Sequence, residues 1–198
     1  MTKPLDHPGA RALLPVALAF AFAASLAACK SEPVGERDRE VLVRVGDLAA
    51  HGIGFDDAAR YEKFEKSRYF DGSCELTYEF ELPDAEVRPG AVYMRVAATV
   101  ETDKQSATVA HGAEKVGFNV GMKFEGFEAE ERKDFFRHGD DSSFFLLTKG
   151  GQPVGNFFVT RHGKRVYSII VAGIYFDDPS AWSELISPKL EKFAAYNP

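Results

Sequence analysis

The sequence is poor in cysteine, because only Cys29 and Cys74 occur among 198 residues. This excludes the disulfide framework on which many small secreted domains depend, so packing must stabilise the fold. A cysteine nucleophile needs a histidine and an orienting partner close to it. The stretch "DGSCELTYEF" around Cys74 supplies neither. We therefore expect Cys74 to be a small buried hydrophobic side chain rather than a catalytic one.

The short motifs of common enzyme families are also absent from the sequence. It contains no G-x-S-x-G, no phosphate-binding P-loop and no dinucleotide fingerprint. The histidines after the N-terminal segment are His51, His111, His138 and His162, and no two have the spacing of a helix-borne zinc pair. The sequence therefore predicts no metal, no cofactor and no catalytic residue. A zinc site gathered from loops and a hydrolase with dispersed active-site residues remain open as alternatives.

Basic residues are in the minority, with 24 Lys and Arg against 30 Asp and Glu and a formal net charge of −6. Affinity for nucleic acid comes chiefly from basic side chains that displace counterions, so we expect no nucleic-acid binding. One local basic cluster, Arg161, Lys164 and Arg165, surrounds a predicted hairpin tip. Such a cluster is commonly a solvated edge that discourages strand pairing. The alternative is a docking site for an acidic partner or a cell-wall polymer.

The longest apolar run lies close to the N-terminus. Residues 12–26 carry no charge, follow Lys3 and Arg11, and lead into small residues and a cysteine. A membrane-spanning helix needs about 20 apolar residues, so this shorter run is typical of a secretory signal.

The end of this run, Leu26-Ala27-Ala28-Cys29, resembles the lipobox of bacterial lipoproteins. The resemblance implies removal of the signal peptide, residues 1–28, and acylation of the Cys29 thiol with a palmitate-type chain. Two or more such chains hold a protein stably on a membrane. In that family, a residue other than Asp after the cysteine favours the outer membrane of Gram-negative bacteria. Lys30 occupies that position, which implies a domain that faces the periplasm from the outer membrane.

Cleavage before Cys29 would leave 170 residues. It would remove Lys3, Arg11 and Asp6, so 22 basic and 29 acidic side chains would remain, with a formal charge of −7. Residues 29–40, "CKSEPVGERDRE", are mostly polar and charged, which predicts a flexible tether behind the acylated cysteine. The remaining residues, 41–198, suffice for a single domain with its own core.

Hydrophobic periodicity predicts an α+β fold with an antiparallel sheet of about six or seven strands. Asp71-Gly72 is a strong hairpin signal, because both central residues of the tight turn need a positive φ. Glycine-bearing turns at residues 138–141, 149–152 and 162–163 predict an antiparallel meander. These strands are expected among residues 41–45, 62–70, 74–82 and 91–100 in the first half, and among the apolar runs "DFFR", "SFFLLT", "VGNFFVTR" and "RVYSIIVAGIYF" in the second.

Besides a short helix near residues 56–60, the sequence predicts one internal helix and one C-terminal helix. Thr102 begins a Thr-x-x-Gln capping box for the internal helix. Asp178 caps the C-terminal helix and Pro179 occupies its first position. Small residues on one side of the internal helix suggest close packing against the sheet; they are Ala107, Ala110, Ala113, Val116 and Gly117. The apolar face of the C-terminal helix consists of Trp182, Leu185, Ile186, Leu190 and Phe193.

Three pairs of aspartates invite a metal or acid–base interpretation: Asp56-Asp57, Asp140-Asp141 and Asp177-Asp178. Each pair falls where a turn or a helix start is predicted, and Asp is favoured there because it hydrogen-bonds the backbone. We expect structural turns, with a surface site for a divalent cation as the alternative.

The order of strand, crossover helix, long meander and final helix over residues 41–195 resembles the PsbP-like fold, which is found in photosystem accessory proteins, Ran-binding Mog proteins and small bacterial lipoproteins. The resemblance implies a PsbP-like sandwich with a binding or assembly role. We expect a monomeric, non-catalytic, lipid-anchored protein that binds or helps assemble another component of the cell envelope. The alternatives are an envelope hydrolase and a periplasmic carrier of a small ligand.

Overall fold

The computed structural model describes residues 30–82, 92–124 and 126–198. These residues form an eight-stranded antiparallel sheet in the order β1-β2-β3-β4-β8-β7-β6-β5. The strands are β1 (Lys30–Ser31), β2 (Glu62–Arg68), β3 (Cys74–Leu82), β4 (Val92–Val100), β5 (Glu128–Glu131), β6 (Asp141–Lys149), β7 (Gln152–His162) and β8 (Arg165–Ala172).

Three α-helices accompany the sheet: α1 (Glu36–Glu40), α2 (Lys104–Phe124) and α3 (Pro179–Ala195). Two 3₁₀ helices, Val45–His51 and Ala58–Tyr61, precede β2. The α+β class and the antiparallel sheet are therefore confirmed. The predicted count of six or seven strands is wrong, because the short strands β1 and β5 extend the two edges. The predicted signal peptide, Cys29 and residue 91 of the predicted strand 91–100 lie outside the described residues.

The central strands β7 and β8 are buried on both faces, as their two-sided apolar sequences predict. On one face they pack against α3 and the segment before β2, around the fully buried Trp182. On the other face they pack against α2, where Phe118 stacks on Phe157 with ring centroids 3.8 Å apart. The sheet is thus covered on both sides at its centre.

The predicted hairpin and C-terminal helix are confirmed. β2 pairs with β3 in antiparallel register, and Gly72 has a φ of 93° in the turn between them. The predicted turn type is wrong, because Asp71 does not have a positive φ and residues 69–73 join the two strands. Asp178 is the N-cap of α3, and its side chain accepts a hydrogen bond from the Ser180 amide at 2.9 Å. The five predicted apolar residues of this helix are all buried. Pro188 lies inside the continuous helix, so it does not start a second one.

The prediction of a first strand at residues 41–45 is wrong. This segment follows α1 without sheet pairing, although four of its five side chains are buried. Its backbone N–H groups donate to tyrosine hydroxyls and not to the carbonyls of a neighbouring strand. The Val43 amide donates to Tyr167 Oη at 3.0 Å, and the Val45 amide donates to Tyr78 Oη at 2.9 Å. These two bonds satisfy buried N–H groups that a sheet would otherwise satisfy.

The run "DFFR" at 134–137 is not a strand either. It forms a turn whose two rings cover the end of the core, since Phe135 stacks on Phe144 at 4.0 Å and Phe136 contacts Phe158 edge-on. The strand of this region is the charged β5, which pairs with β6 at the sheet edge. An edge strand is exposed enough to carry charged side chains, so its sequence lacks the apolar alternation of a half-buried strand.

The internal helix starts one residue later than the capping box predicts. Asp103 rather than Thr102 caps it, because the Asp103 carboxylate accepts a hydrogen bond from the Ser106 amide at 2.8 Å. The predicted packing face is also wrong. Only Ala107 of the predicted small residues is fully buried, and Val116 is 65% exposed. The face that packs on the sheet consists of Ala107, His111, Phe118 and Met122.

Residues 30–40 are not a flexible tether, because they are ordered against the domain. β1 pairs with β2, and Glu32 forms an ion pair with Arg68 at 2.9 Å. The Asp38 carboxylate is buried and accepts hydrogen bonds from the Tyr196 hydroxyl, from Lys66 at 3.2 Å and from the Gly35 amide at 2.8 Å. Asp38 therefore joins the N-terminal segment, β2 and the C-terminus.

We predict that Asp38→Asn lowers the free energy of unfolding by about 2–3 kcal/mol at neutral pH, since hydrogen bonds to a charged group are lost and Lys66 keeps only the more distant Glu32 carboxylate, 3.9 Å away. Burial raises the pKa of Asp38, but the hydrogen bonds from Tyr196, Gly35 and Lys66 outweigh burial and leave the pKa below its ordinary value. The stabilisation is therefore complete above the pKa of the unfolded chain, about 3.9, and is lost as pH falls through the lower folded pKa.

Urea titrations of the protein without residues 1–28, at neutral pH and at acid pH, measure this difference. Asp134→Asn is the matched control, because that side chain is 96% exposed and its removal should change stability by less than about 0.5 kcal/mol. Equal effects of the two substitutions at neutral pH would contradict the role given to Asp38.

Candidate functional site

The predicted basic cluster lies at the turn between β7 and β8. Arg161 Nη1 is 3.0 Å from Asp140 Oδ2. Arg165 donates through Nε to the Phe193 carbonyl at 3.1 Å and through Nη2 to the Tyr196 carbonyl at 2.8 Å. Lys164 is exposed. Two of the three basic side chains therefore bind groups of their own chain, and Arg165 secures the C-terminal end of α3.

The three aspartate pairs take part in turns and caps. Asp140 Oδ2 accepts a hydrogen bond from the Gly163 amide at 2.9 Å, in addition to its ion pair with Arg161. Asp57 has a φ of 51° and precedes the second 3₁₀ helix. Within residues 30–82, 92–124 and 126–198, no group of three or more His, Cys, Asp and Glu side chains is arranged to hold a metal ion.

The four histidines are dispersed over the fold. His138 and His162 approach each other at the β7–β8 turn, with ring centroids 6.4 Å apart. Burial lowers the pKa of His138, and the neighbouring His162 lowers it further. His111 is a residue of α2 on the side that packs against the sheet; it is buried, with Nδ1 3.6 Å from Asp141 Oδ2. His51 packs edge-on against the Phe176 ring at 5.6 Å.

Cys74 begins β3 and is 1% exposed, as predicted for a small hydrophobic side chain. Burial raises the pKa of its thiol. A neutral, buried thiol is a poor nucleophile.

A polar cleft of about 410 Å³ opens beside α2 and the start of β6. In it, Lys115 Nζ donates to Ser143 Oγ at 2.8 Å, and Ser143 donates to Glu131 at 3.0 Å. Lys115 is also 3.9 Å from Glu131, which makes the two an ion pair. A lysine that activates a serine must be neutral, because an ammonium group has no lone pair to accept the proton. Lys115 donates to Ser143 Oγ instead of accepting from it, and Ser143 is only 5% exposed, so the cleft does not present a lysine-activated serine.

The outward face of α2 is the most unusual surface of the described chain. From Gln105 to Val120, every exposed residue of this helix is uncharged. Exposed helix faces in soluble proteins are normally polar and charged. We call the central part of this surface the α2 ridge; it consists of Val109, Gly112, Ala113, Val116, Gly117 and Val120. Val109, Val116 and Val120 are 67%, 65% and 49% exposed.

The sheet beside α2 carries an acidic surface. α2 packs over β7 and β8, and the same side of β2 and β3 presents charged residues. We call this surface the acidic face; it consists of Glu65, Glu75, Glu79 and Glu81. Two basic residues partly compensate it. Arg95 of β4 has nitrogens 3.8 Å from Glu75 and 3.5 Å from Glu79, and the exposed Lys63 of β2 is paired with Glu79.

Glu114 lies at the border between α2 and the acidic face, where it bonds the Ser168 side chain. Burial raises the pKa of Glu114 to about 7, and the nearby Arg95 opposes that increase. The α2 ridge and the acidic face thus form neighbouring surfaces of contrasting chemistry, with a partly buried acid between them.

No protein family, curated protein or solved structure matches this chain. No helix within the described part of the chain is long and apolar enough to cross a membrane.

Of the α2 ridge, the sequence singles out Ala113, Val116 and Gly117 but predicts that they face the sheet, whereas all three are exposed. The signal that distinguishes the two faces of α2 is side-chain size. The face with Phe118 and Met122 removes more apolar area from water than one made of glycine, alanine and valine, so it takes the core.

We predict that Arg165→Ala lowers the free energy of unfolding by about 1.5–3 kcal/mol, because two charge-assisted hydrogen bonds to the end of α3 are lost. Lys164→Ala is the matched control, and its effect should stay within about 0.5 kcal/mol because the side chain is exposed. Urea denaturation measures both values. Indistinguishable stabilities for the two variants would show that Arg165 does not hold α3.

Proposed function

We propose that this chain is a lipid-anchored, non-catalytic protein of the cell envelope, and that it binds another envelope protein through the α2 ridge. The observation that carries the proposal is the outward face of α2, where three exposed valines alternate with glycine and alanine and no charge interrupts them. Contiguous exposed apolar surface of this kind marks interaction sites, because leaving it in water is unfavourable.

The composition of the α2 ridge favours a protein segment as the occupant. A Cβ atom added at Gly112 or at Gly117 would have no neighbour within 4 Å. Glycine in the middle of a helix costs about 0.5–1 kcal/mol relative to alanine, so these two glycines weaken α2 without serving its own packing. Small residues let a second backbone approach closely, which accounts for their presence on this face.

The charge of the neighbouring surface defines the partner further. Glu75 and Glu79 lie beside the α2 ridge, and the mature chain has a net charge of −7. Complementary charge increases association rates and excludes wrong partners. We therefore expect a partner that presents an apolar helix or strand flanked by basic side chains.

The anchor in this proposal is the acylated Cys29 of the lipobox, with Lys30 favouring the outer membrane and its periplasmic side. The resemblance of the sequence pattern to the PsbP-like fold implies a binding or assembly role, although a shared fold does not determine function. The protein acts as a monomer before it binds its partner, and the proposal requires no cofactor.

A hydrolase is the second candidate, and the polar cleft is the observation that favours it. Lys115, Ser143 and Glu131 form a hydrogen-bonded chain there. In that case Glu131 would be the base, because it already accepts the Ser143 proton, and Ser143→Ala would abolish turnover. A carrier of a small ligand has less support, since the phenylalanines of the core stack on one another.

We predict that Gly117→Ala raises the free energy of unfolding by up to about 1 kcal/mol, since alanine is the better helix former and the site is open. Gly117→Lys should abolish partner capture from envelope extract by the protein without residues 1–28, because the long charged side chain prevents close approach. Gly46→Lys is the matched control; Gly46 is exposed, a Cβ there meets nothing within 4 Å, and it lies in the segment before β2. Undiminished capture by Gly117→Lys would exclude the α2 ridge as the binding surface.

We predict that Cys29→Ser abolishes acylation and releases the protein from membranes, because the thiol is the attachment site of the lipid. Metabolic labelling with a fatty-acid analogue, followed by membrane fractionation, measures both effects. Fatty-acid label on the serine variant would refute the lipoprotein assignment.

A further inference from the structure

The most exposed large apolar side chain among the described residues is Phe70, which is 83% exposed. It lies at the tip of the hairpin that joins β2 and β3. The backbone of this hairpin tip is fixed, because hydrogen bonds hold it on both sides of Phe70. The Gly72 amide donates to the Tyr69 carbonyl at 3.0 Å, and the Tyr69 amide donates to the Ser73 carbonyl at 2.9 Å.

Side chains fix the same turn. Asp71 Oδ1 accepts hydrogen bonds from the Ser73 amide at 2.9 Å and from the Ser73 hydroxyl at 2.6 Å. The Tyr69 hydroxyl donates to Glu75 at 2.7 Å, which holds that ring over the strands. Phe70 is therefore displayed outward by a rigid turn.

The chain reaches this end of the sheet directly from the predicted lipid site. Lys30 is the Cα partner of Arg68, two residues before Phe70. Cys29 is covalently bonded to Lys30, and consecutive Cα atoms are about 3.8 Å apart. Because β1 and the Glu32–Arg68 ion pair hold this segment against β2, little free chain separates Cys29 from the hairpin.

We propose that the β2–β3 hairpin tip docks on the bilayer that holds the Cys29 lipid, with the Phe70 ring inserted at the level of the headgroups. This inference rests on the proposed acylation of Cys29. Phenylalanine, like tryptophan and leucine, is among the apolar residues that membrane-surface segments bury at the boundary between headgroups and acyl chains. Docking at the hairpin tip makes the strands stand at a steep angle to the membrane surface.

The charges at this end of the sheet indicate that the hairpin tip docks by insertion of the Phe70 ring and not by electrostatic attraction to anionic lipid. Lys30 and Lys164 are exposed there, and so are Asp71 and Asp103. The Glu101 amide donates to the Lys164 carbonyl at 2.9 Å, which brings the loop after β4 and the β7–β8 turn together. Because both signs are present, docking should occur on neutral phosphatidylcholine and should depend little on salt.

The test is fluorescence quenching in vesicles of phosphatidylcholine with and without bromine on the acyl chains, using the acylated protein. Phe70→Trp keeps an aromatic ring at the tip. Gln152→Trp is the matched control, because Gln152 is exposed at the opposite end of the sheet, where it pairs with Lys149. The native Trp182 is fully buried and gives the same background in both variants.

We expect brominated lipid to remove most of the emission that the Phe70→Trp substitution adds and none of the emission that Gln152→Trp adds, at low and high salt alike. Protein that floats with the vesicles while neither introduced indole is quenched would overturn membrane docking and leave the lipid anchor intact; it would make Phe70 a contact for a protein. Protein that is not acylated and does not float would overturn the anchor and the inference together. Unchanged melting temperatures in both variants confirm that the fold is preserved.

Discussion

The rest of this structure is arranged around β7 and β8, two strands that are apolar on both faces. β7 and β8 are buried along almost their whole length, so each side of the central sheet needs its own cover. α3 and the N-terminal segment cover one side, around Trp182. α2 covers the other, where Phe118 supplies the large ring that stacks on Phe157. Burial of one such side chain contributes about 1.5–3 kcal/mol, so the orientation of α2 follows from the placement of Phe118. The α2 ridge is the face that this orientation leaves outside.

The parts of the fold that local sequence predicts correctly are those whose stabilising contacts are local or periodic. The β2–β3 turn is encoded in Asp71-Gly72, and the start of α3 in Asp178-Pro179. The errors concern segments whose backbone partners are distant in sequence. The run at 41–45 resembles a strand, but its amides bond the hydroxyls of Tyr78 and Tyr167, 33 and 124 residues away. No local pattern identifies such partners.

The predicted tether failed for a related reason. Residues 30–40 have the polar, charged composition of a linker, and composition alone does not show that one carboxylate has partners elsewhere. Asp38 meets Lys66 from β2 and Tyr196 from the end of the chain. The surface of α2 shows the same limit. Small residues such as Ala113, Val116 and Gly117 are typical of close packing, but the sequence of α2 alone does not show whether the sheet or another protein packs against them.

The ordered N-terminal segment changes what an anchor at Cys29 would do. A flexible tether would let the domain rotate freely, whereas a segment held by β1 and Asp38 transmits the position of the lipid to the sheet. α2 begins at Lys104, shortly after β4 ends at the level of the β2–β3 tip, and its 21 residues extend about 30 Å toward the other end of the sheet. With the hairpin tip on the bilayer, the α2 ridge would therefore run away from the membrane and face sideways. A partner that contacts both Val109 and Val120 would then lie beside this domain and not between it and the bilayer, so binding of the partner would not compete with docking of the hairpin tip.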